Sequence, residues 1–133
     1  MMTFPIQIVT PDGLIFEGQA ERLFCRTIAG DVCILARHCD YMTALGMGEA
    51  RLTLEDGTVR RAACIGGLLA VTQGAARLVA TTWEWAEEID KARAEASRQR
   101  AEEILARKEL DARELEMAQA RLKRALVRTS VAR

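Results

Sequence analysis

The sequence predicts a two-part α+β protein. An N-terminal antiparallel β-sandwich spans residues 1–83, and a C-terminal antiparallel α-helical hairpin spans 84–133. Three observations lead there. Turn signals punctuate the chain up to about Thr82, mostly at intervals of about 8–16 residues. Between them the apolar residues often alternate. From Glu84 onward glycine and proline are absent, and the composition shifts to Ala, Glu, Arg and Leu.

The strand region is read from its turns. Signals fall at Pro11-Asp12-Gly13, Gly30-Asp31, Gly46-Met47-Gly48, Glu55-Asp56-Gly57, Gly66-Gly67 and Gln73-Gly74. In "FPIQIV", Phe4, Ile6 and Ile8 share one face. Leu52 and Leu54 precede the Asp56-Gly57 turn and Val59 follows it, which is a hairpin. "LLAVTQGAARLVATT" reads as a second hairpin around Gly74. Strands joined by such short turns run antiparallel.

The helical region predicts one helix over about 85–106, a turn near Lys108–Asp111 and a second helix over about 112–128. Asp111 is a suitable N-cap, with Glu114 three residues on to complete a capping box. The expected seam of the second helix is Leu115, Ala118, Leu122, Ala125 and Leu126, and that of the first is mainly Ala94, Ala101, Ile104 and Leu105. Burying a Leu contributes roughly 1.5–3 kcal/mol and an Ala far less. Isolated helices of this length are marginal in water, so the pair is expected at the low end of local stability. An Ala-rich hairpin that simply stays folded accounts for this; so does a hairpin whose weak docking lets it change place.

Charge and composition narrow the function classes. The 133 residues carry no net charge, which argues against nucleic acid as a partner. Residues 1–84 hold 7 basic and 9 acidic side chains, whereas 85–133 hold 12 and 10. The last 13 residues carry five positive side chains and no acid, as a solvated helix end or an arm toward an acidic surface would. No apolar run reaches membrane-spanning length, so no direct membrane insertion is expected. The N-terminus lacks the pattern of a signal peptide, making the cytosol the expected compartment. Cys25, Cys33, Cys39 and Cys64 then read as reduced thiols. Cys33, His38 and Cys39 fit no zinc spacing, and no metal is expected.

No catalytic constellation emerges. His38 is the single histidine, and Gly66-Gly67 lacks the Lys-Ser/Thr of a phosphate loop. Glu84, Glu87, Glu88 and Asp90 are explained by a helix start, where acids oppose the dipole favourably. Asp90 and Arg93 lie three apart, Arg100 follows Arg93 by seven, and Arg124 and Arg128 are four apart. In an antiparallel hairpin these two ends meet. Several guanidinium groups there would suit a polyphosphate, or would merely decorate the surface with salt bridges.

The order "QIVTPDGLIFEGQAERLFCRT", "GDVCILARHCDYMTALGMGEARL", "ACIGGLLAV", "EEIDKARAEASRQRAEE" and "ARLKRALVRTSVA" resembles the epsilon subunit family of bacterial F-type ATP synthase, essentially end to end. The resemblance implies a sandwich of about ten strands followed by a helical hairpin. It implies a non-catalytic subunit of the rotor stalk, peripheral to the cytoplasmic face of the cell membrane. Its partners would be the gamma subunit, the polar loops of the c-ring and, with the hairpin extended, the alpha/beta catalytic head. No cofactor is required; ATP would be a regulatory ligand.

The family's site residues carry over by position. Asp31 and His38 match positions near the c-ring and gamma footing. Cys33 stands where the family commonly has glycine, and "LARHCD" replaces a "LPxHxP"-like run, which removes two prolines and some loop rigidity. Some members bind ATP through a motif like Ile/Leu-Asp-x-x-Arg-Ala, which Ile89, Asp90, Arg93 and Ala94 satisfy. Glu84, Arg100, Arg124 and Arg128 match further positions of that site. The resemblance implies that ATP favours the compact hairpin and that the extended one blocks ATP hydrolysis. The rivals are a generic interaction module of another complex and an enzyme using Cys39 or His38.

Overall fold

The computed structural model describes residues 2–132. The first unit, Met1–Trp85, contains β1 (Phe4–Thr10), β2 (Gly13–Thr27), β3 (Gly30–Leu35), β4 (Tyr41–Leu54), β5 (Val59–Thr72) and β6 (Ala75–Trp85). β1 pairs with β2 on one side and β6 on the other, so β1, β6, β5, β4 and β2 close into a ring, with β3 laid along β2. The result is a barrel-like sandwich, whose closure pairs much of the sheet edge. Among the described pairings one departs from the antiparallel expectation: Ile6–Val9 of β1 run parallel to Ala76–Val79 of β6.

Among the described residues six strands stand where about ten were expected, because β2, β4 and β5 are 14 or 15 residues long. They bend without ending. Gly46 and Gly48 lie within β4, and Gly66 and Gly67 within β5, so two of the turns read from sequence are kinks inside strands. Gly66 and Gly67 take φ of 72° and 127°, and the β4–β5 ladder continues on either side, from Leu45↔Gly67 to Met47↔Ile65. Glycine there turns the strand while its pairing carries on.

Two turns are as expected. Gln73 and Gly74 both have positive φ between paired Thr72 and Ala75, the two-residue loop that matches strand twist. In the other, the Asp56 carboxylate accepts a hydrogen bond from Thr58 N–H at 2.9 Å. That bond holds the Asp56 carboxyl below its ordinary range. Phe4, Ile6 and Ile8 are buried on one face and join Leu23, Leu52, Leu69 and Leu78 in the core. Cys25 and Cys64 lie in this core as free thiols, and burial pushes both up to about 12, so they act as small apolar groups.

The second unit is Ala86–Arg133, so the boundary falls two residues beyond the expected 83. The first helix also starts later than expected. Trp83 and Trp85 still pair with Cys64 and Ala62, which makes them strand. A short 3₁₀ turn, Ala86–Glu88, follows, and Asp90 caps α1 (Lys91–Leu105). α2 (Ala112–Val131) starts where predicted, with Asp111 accepting from Glu114 N–H at 2.7 Å. It runs three residues past the expected end.

α1 and α2 pack together along alanines. Ala94, Ala101, Ala118 and Ala125 are all buried, whereas Leu115 and Leu126, expected in the seam, are exposed. The buried alanines are seven apart on each helix and symmetric about the connecting segment. Antiparallel packing therefore sets Ala101 opposite Ala118 and Ala94 opposite Ala125. Small residues at these rungs allow a close approach of the helix axes, and Ile104, Leu105 and Leu122 of the expected seam are half-buried.

Candidate functional site

In the sandwich, strand register assembles a surface that sequence reasoning missed. Ala44 pairs with Leu68, Leu68 with Val79, Val79 with Val9, and Val9 with Leu14. Directly paired residues share a face, so one apolar row crosses five strands. Leu14, Leu68 and Val79 are 57%, 52% and 41% exposed. The adjacent row is Met42, Ala70, Arg77, Gln7 and Glu17, with Met42 73% exposed. Beside it a groove of about 550 Å³ is lined by Pro5, Gln19, Ala70, Thr72 and Arg77, among others. A contiguous apolar patch of this kind marks an interaction surface. Its sequence signal was the alternation in "LLAV" and "RLVA", whose second phase is also apolar; only register shows that those phases align.

Asp31 and His38, expected at the footing, stand on separate supports. Asp31 on β3 accepts from Arg26 Nε at 3.1 Å across the β2–β3 pair. His38 lies in the β3–β4 loop, where Nδ1 donates to the Cys39 carbonyl oxygen at 2.7 Å, fixing the tautomer. Its ring tilts against Tyr41 at 5.7 Å. The loop lacks the prolines the resemblance leads one to expect, but it is tied down otherwise. Asp40 accepts from Gln73 N–H at 2.8 Å, which fastens the loop to the β5–β6 turn, and Arg37 holds a φ of 66°.

The candidate nucleotide residues divide between the two units. Glu84 lies on β6, and the other seven belong to the hairpin. Asp90 is the N-cap of α1: its carboxylate accepts from Arg93 N–H at 3.0 Å. The pair is thus joined through the backbone of Arg93, while the Arg93 side chain is exposed. Ile89 and Ala94 are buried, Arg100 is exposed, and Arg124 and Arg128 are half-buried. Arg93 and Arg124 immediately precede the facing alanines Ala94 and Ala125. At 1.5 Å per residue, Arg93, Arg124 and Arg128 fall within about 6 Å along the hairpin axis. Arg100 lies roughly 8 Å beyond them, beside the next rung. The seam therefore brings three arginines to one level and leaves the fourth apart.

Elsewhere on α1, Arg98 bridges Glu95 and Glu102 at 2.8 and 2.9 Å, and these carboxylates hold its guanidinium above the ordinary range. No group of three or more His, Cys, Asp or Glu side chains among the described residues could hold a metal ion. No helix among them is long and apolar enough to cross a membrane.

Residues 3–86 match the family model described as ATP synthase, delta/epsilon chain, beta-sandwich domain. Residues 87–133 match its long alpha-helix domain. The chain is 39% identical over 133 residues to the ATP synthase epsilon chain of Ruminococcus albus, covering 99% of this chain and 98% of that one. It is 37% identical over 132 residues to that of Caldicellulosiruptor bescii, covering 99% and 95%. Among solved structures, a chain of the Euglena gracilis mitochondrial ATP synthase (OSCP/F1/c-ring) superposes with a TM-score of 0.82 at 19% identity, over 91% of this chain and 76% of that one. A chain of the Tetrahymena thermophila mitochondrial ATP synthase central stalk and c-ring gives 0.63 at 14%, over 97% and 96%. At these identities the structural likeness is one of fold; at the sequence level, both units match over the full length, and the chain belongs to the ATP synthase delta/epsilon chain family.

Proposed function

We propose that the chain is a non-catalytic subunit of the rotating central stalk of an ATP synthase. It couples the catalytic head to the c-ring at the cytoplasmic face of the cell membrane. The observation that carries this is the apolar row Ala44–Leu68–Val79–Val9–Leu14, of which Leu14, Leu68 and Val79 are exposed, on a sandwich of this family. Such a row fits a permanent partner, for which the gamma subunit is the candidate, and Asp31 and His38 fit the c-ring footing. Leu68→Glu places a charge within the row, where its exposure spares the fold. Capture of the gamma subunit should weaken at least about tenfold, the loss of a central interface residue. Val59→Glu, exposed outside the row, is the control. Equal binding by wild type and Leu68→Glu would remove this face from the interface.

The hairpin is the regulator in this proposal, with ATP as the ligand of its compact form. A ligand shifts such an equilibrium only by binding one state more tightly. Arg93, Arg124 and Arg128 would hold phosphates, and Asp90 would accept from the adenine edge. Asp90 has a cap to make as well, but a carboxylate has acceptor capacity beyond one bond. Serine separates the two roles because it caps as well as Asp and carries no charge. In ATP titrations of the full chain, Arg93→Ala and Asp90→Ser should both weaken binding, while Asp90→Ser keeps the helix. Wild-type affinity in Asp90→Ser would reduce Asp90 to a cap.

A further inference from the structure

The leucines that α2 leaves outside the alanine seam form a stripe of their own. Leu115 and Leu126 are 40% and 48% exposed, and Leu122 is half-buried. With Gln119 and Thr129 they stand at 115, 119, 122, 126 and 129, the alternating steps of four and three that a coiled-coil seam uses. At roughly 100° per residue, all five fall within about 40° of one line along the helix. Arg124 and Arg128 lie roughly 140–180° around α2 from that line, so the stripe is separate from the nucleotide candidates.

Charge indicates what covers it. Residues 112–120 carry Arg113 against Glu114 and Glu116, whereas 121–131 carry Arg121, Lys123, Arg124 and Arg128 with no acid. A parallel copy of α2 would set one basic half against the other. An antiparallel copy sets each basic half against an acidic one. With Leu115 facing the partner's Leu126, Gln119 faces the partner's Leu122, and exposed Glu116 flanks the partner's exposed Lys123. A two-fold axis makes every one of these contacts twice.

We propose that the free chain pairs with a second copy of itself through α2, antiparallel, along Leu115, Leu122 and Leu126. The pairing masks the leucine stripe of the unassembled chain. The contact is smaller than a standard interface and has a polar layer at Gln119, so it forms with Kd on the order of 10–100 μM and yields to a tighter partner. It uses neither the apolar row of the sandwich nor ATP, so it stands apart from the stalk and regulatory readings.

The test is sedimentation equilibrium of the full chain from about 5 to 500 μM, a range that brackets this Kd, at low salt where charges are least screened. Wild type should pass from monomer to dimer. Lys123→Glu should weaken the dimer by about tenfold, because two attractive pairs become repulsive. Adding Glu116→Lys to Lys123→Glu should restore it. Leu126→Glu should leave only monomer, and Leu68→Glu on the sandwich should dimerise as wild type does. These side chains are exposed, so the fold survives, and circular dichroism checks that the helices do. A wild-type chain that stays monomeric throughout would overturn the proposal and leave the stripe to a helix of another protein. Undiminished dimerisation of Lys123→Glu, no restoration in the double variant, or loss of the dimer in Leu68→Glu would overturn it too.

Discussion

Gly67→Ala is expected to cost the sandwich about 4 kcal/mol or more, enough to unfold a domain of ordinary stability. Two penalties coincide at this position. Its φ of 127° is one that side chains rarely adopt. A Cβ would also come 2.0 Å from the Val79 carbonyl oxygen and 2.8 Å from Ala80 Cα, and both are backbone atoms of the neighbouring strand. Neither can step aside without breaking the β5–β6 ladder, which pairs Gly67 with Ala80. Gly74→Ala is the matched control. Its φ of 79° is also positive, but nothing lies within 4 Å of the added atom, so it should cost only about 1–2 kcal/mol. Urea melts followed by tryptophan emission would compare the two. Similar losses would mean that β6 yields at Val79, and that the close approach is not what requires glycine.

Gly67 also shows where sequence reasoning stops. Its pattern of Gly pairs at regular spacing is the same whether a glycine ends a strand or bends it. Asp56-Gly57 and Gln73-Gly74 end strands; Gly46 and Gly66 do not, because the residues on both sides of them still find partners across β4 and β5. Pairing is non-local information, so the two-part architecture was legible and the strand count was not. Trp85 was misread as helix for a related reason. Helix-forming neighbours dominate "WEWAEEID", whereas the partners that make it strand, Ala62 and Cys64, lie about twenty residues earlier. The candidate site divides the same way. The caps Asp90 and Asp111 were readable because capping is local. The apolar row from Ala44 to Leu14 was not, since five strands have to be in register before it exists.

Ala101→Leu should loosen the hairpin while sparing the sandwich. By size alone the opposite would be expected, since leucine buries more apolar surface than alanine. That gain needs space, and Ala101 has none: it is fully buried, facing an Ala118 that is 4% exposed. Three added carbon atoms would push the axes apart at that rung and weaken the Ala94–Ala125 rung as well. Overpacking of this kind costs about 1–3 kcal/mol. Few large side chains are buried in this unit to compensate, since Leu115 and Leu126 are exposed. The helical signal should therefore melt earlier in Ala101→Leu than in wild type, with the strand signal following an unshifted transition. Leu115→Ala, the reverse change at an exposed site, should change little. A rise in helix stability in Ala101→Leu would mean that the seam has room, and that the leucines outside it are excluded for some other reason. In the assembled motor the same substitution bears on regulation. If the compact hairpin is the permissive form, destabilising it should raise the ATP concentration needed to relieve inhibition, and Leu115→Ala should leave that concentration where it was.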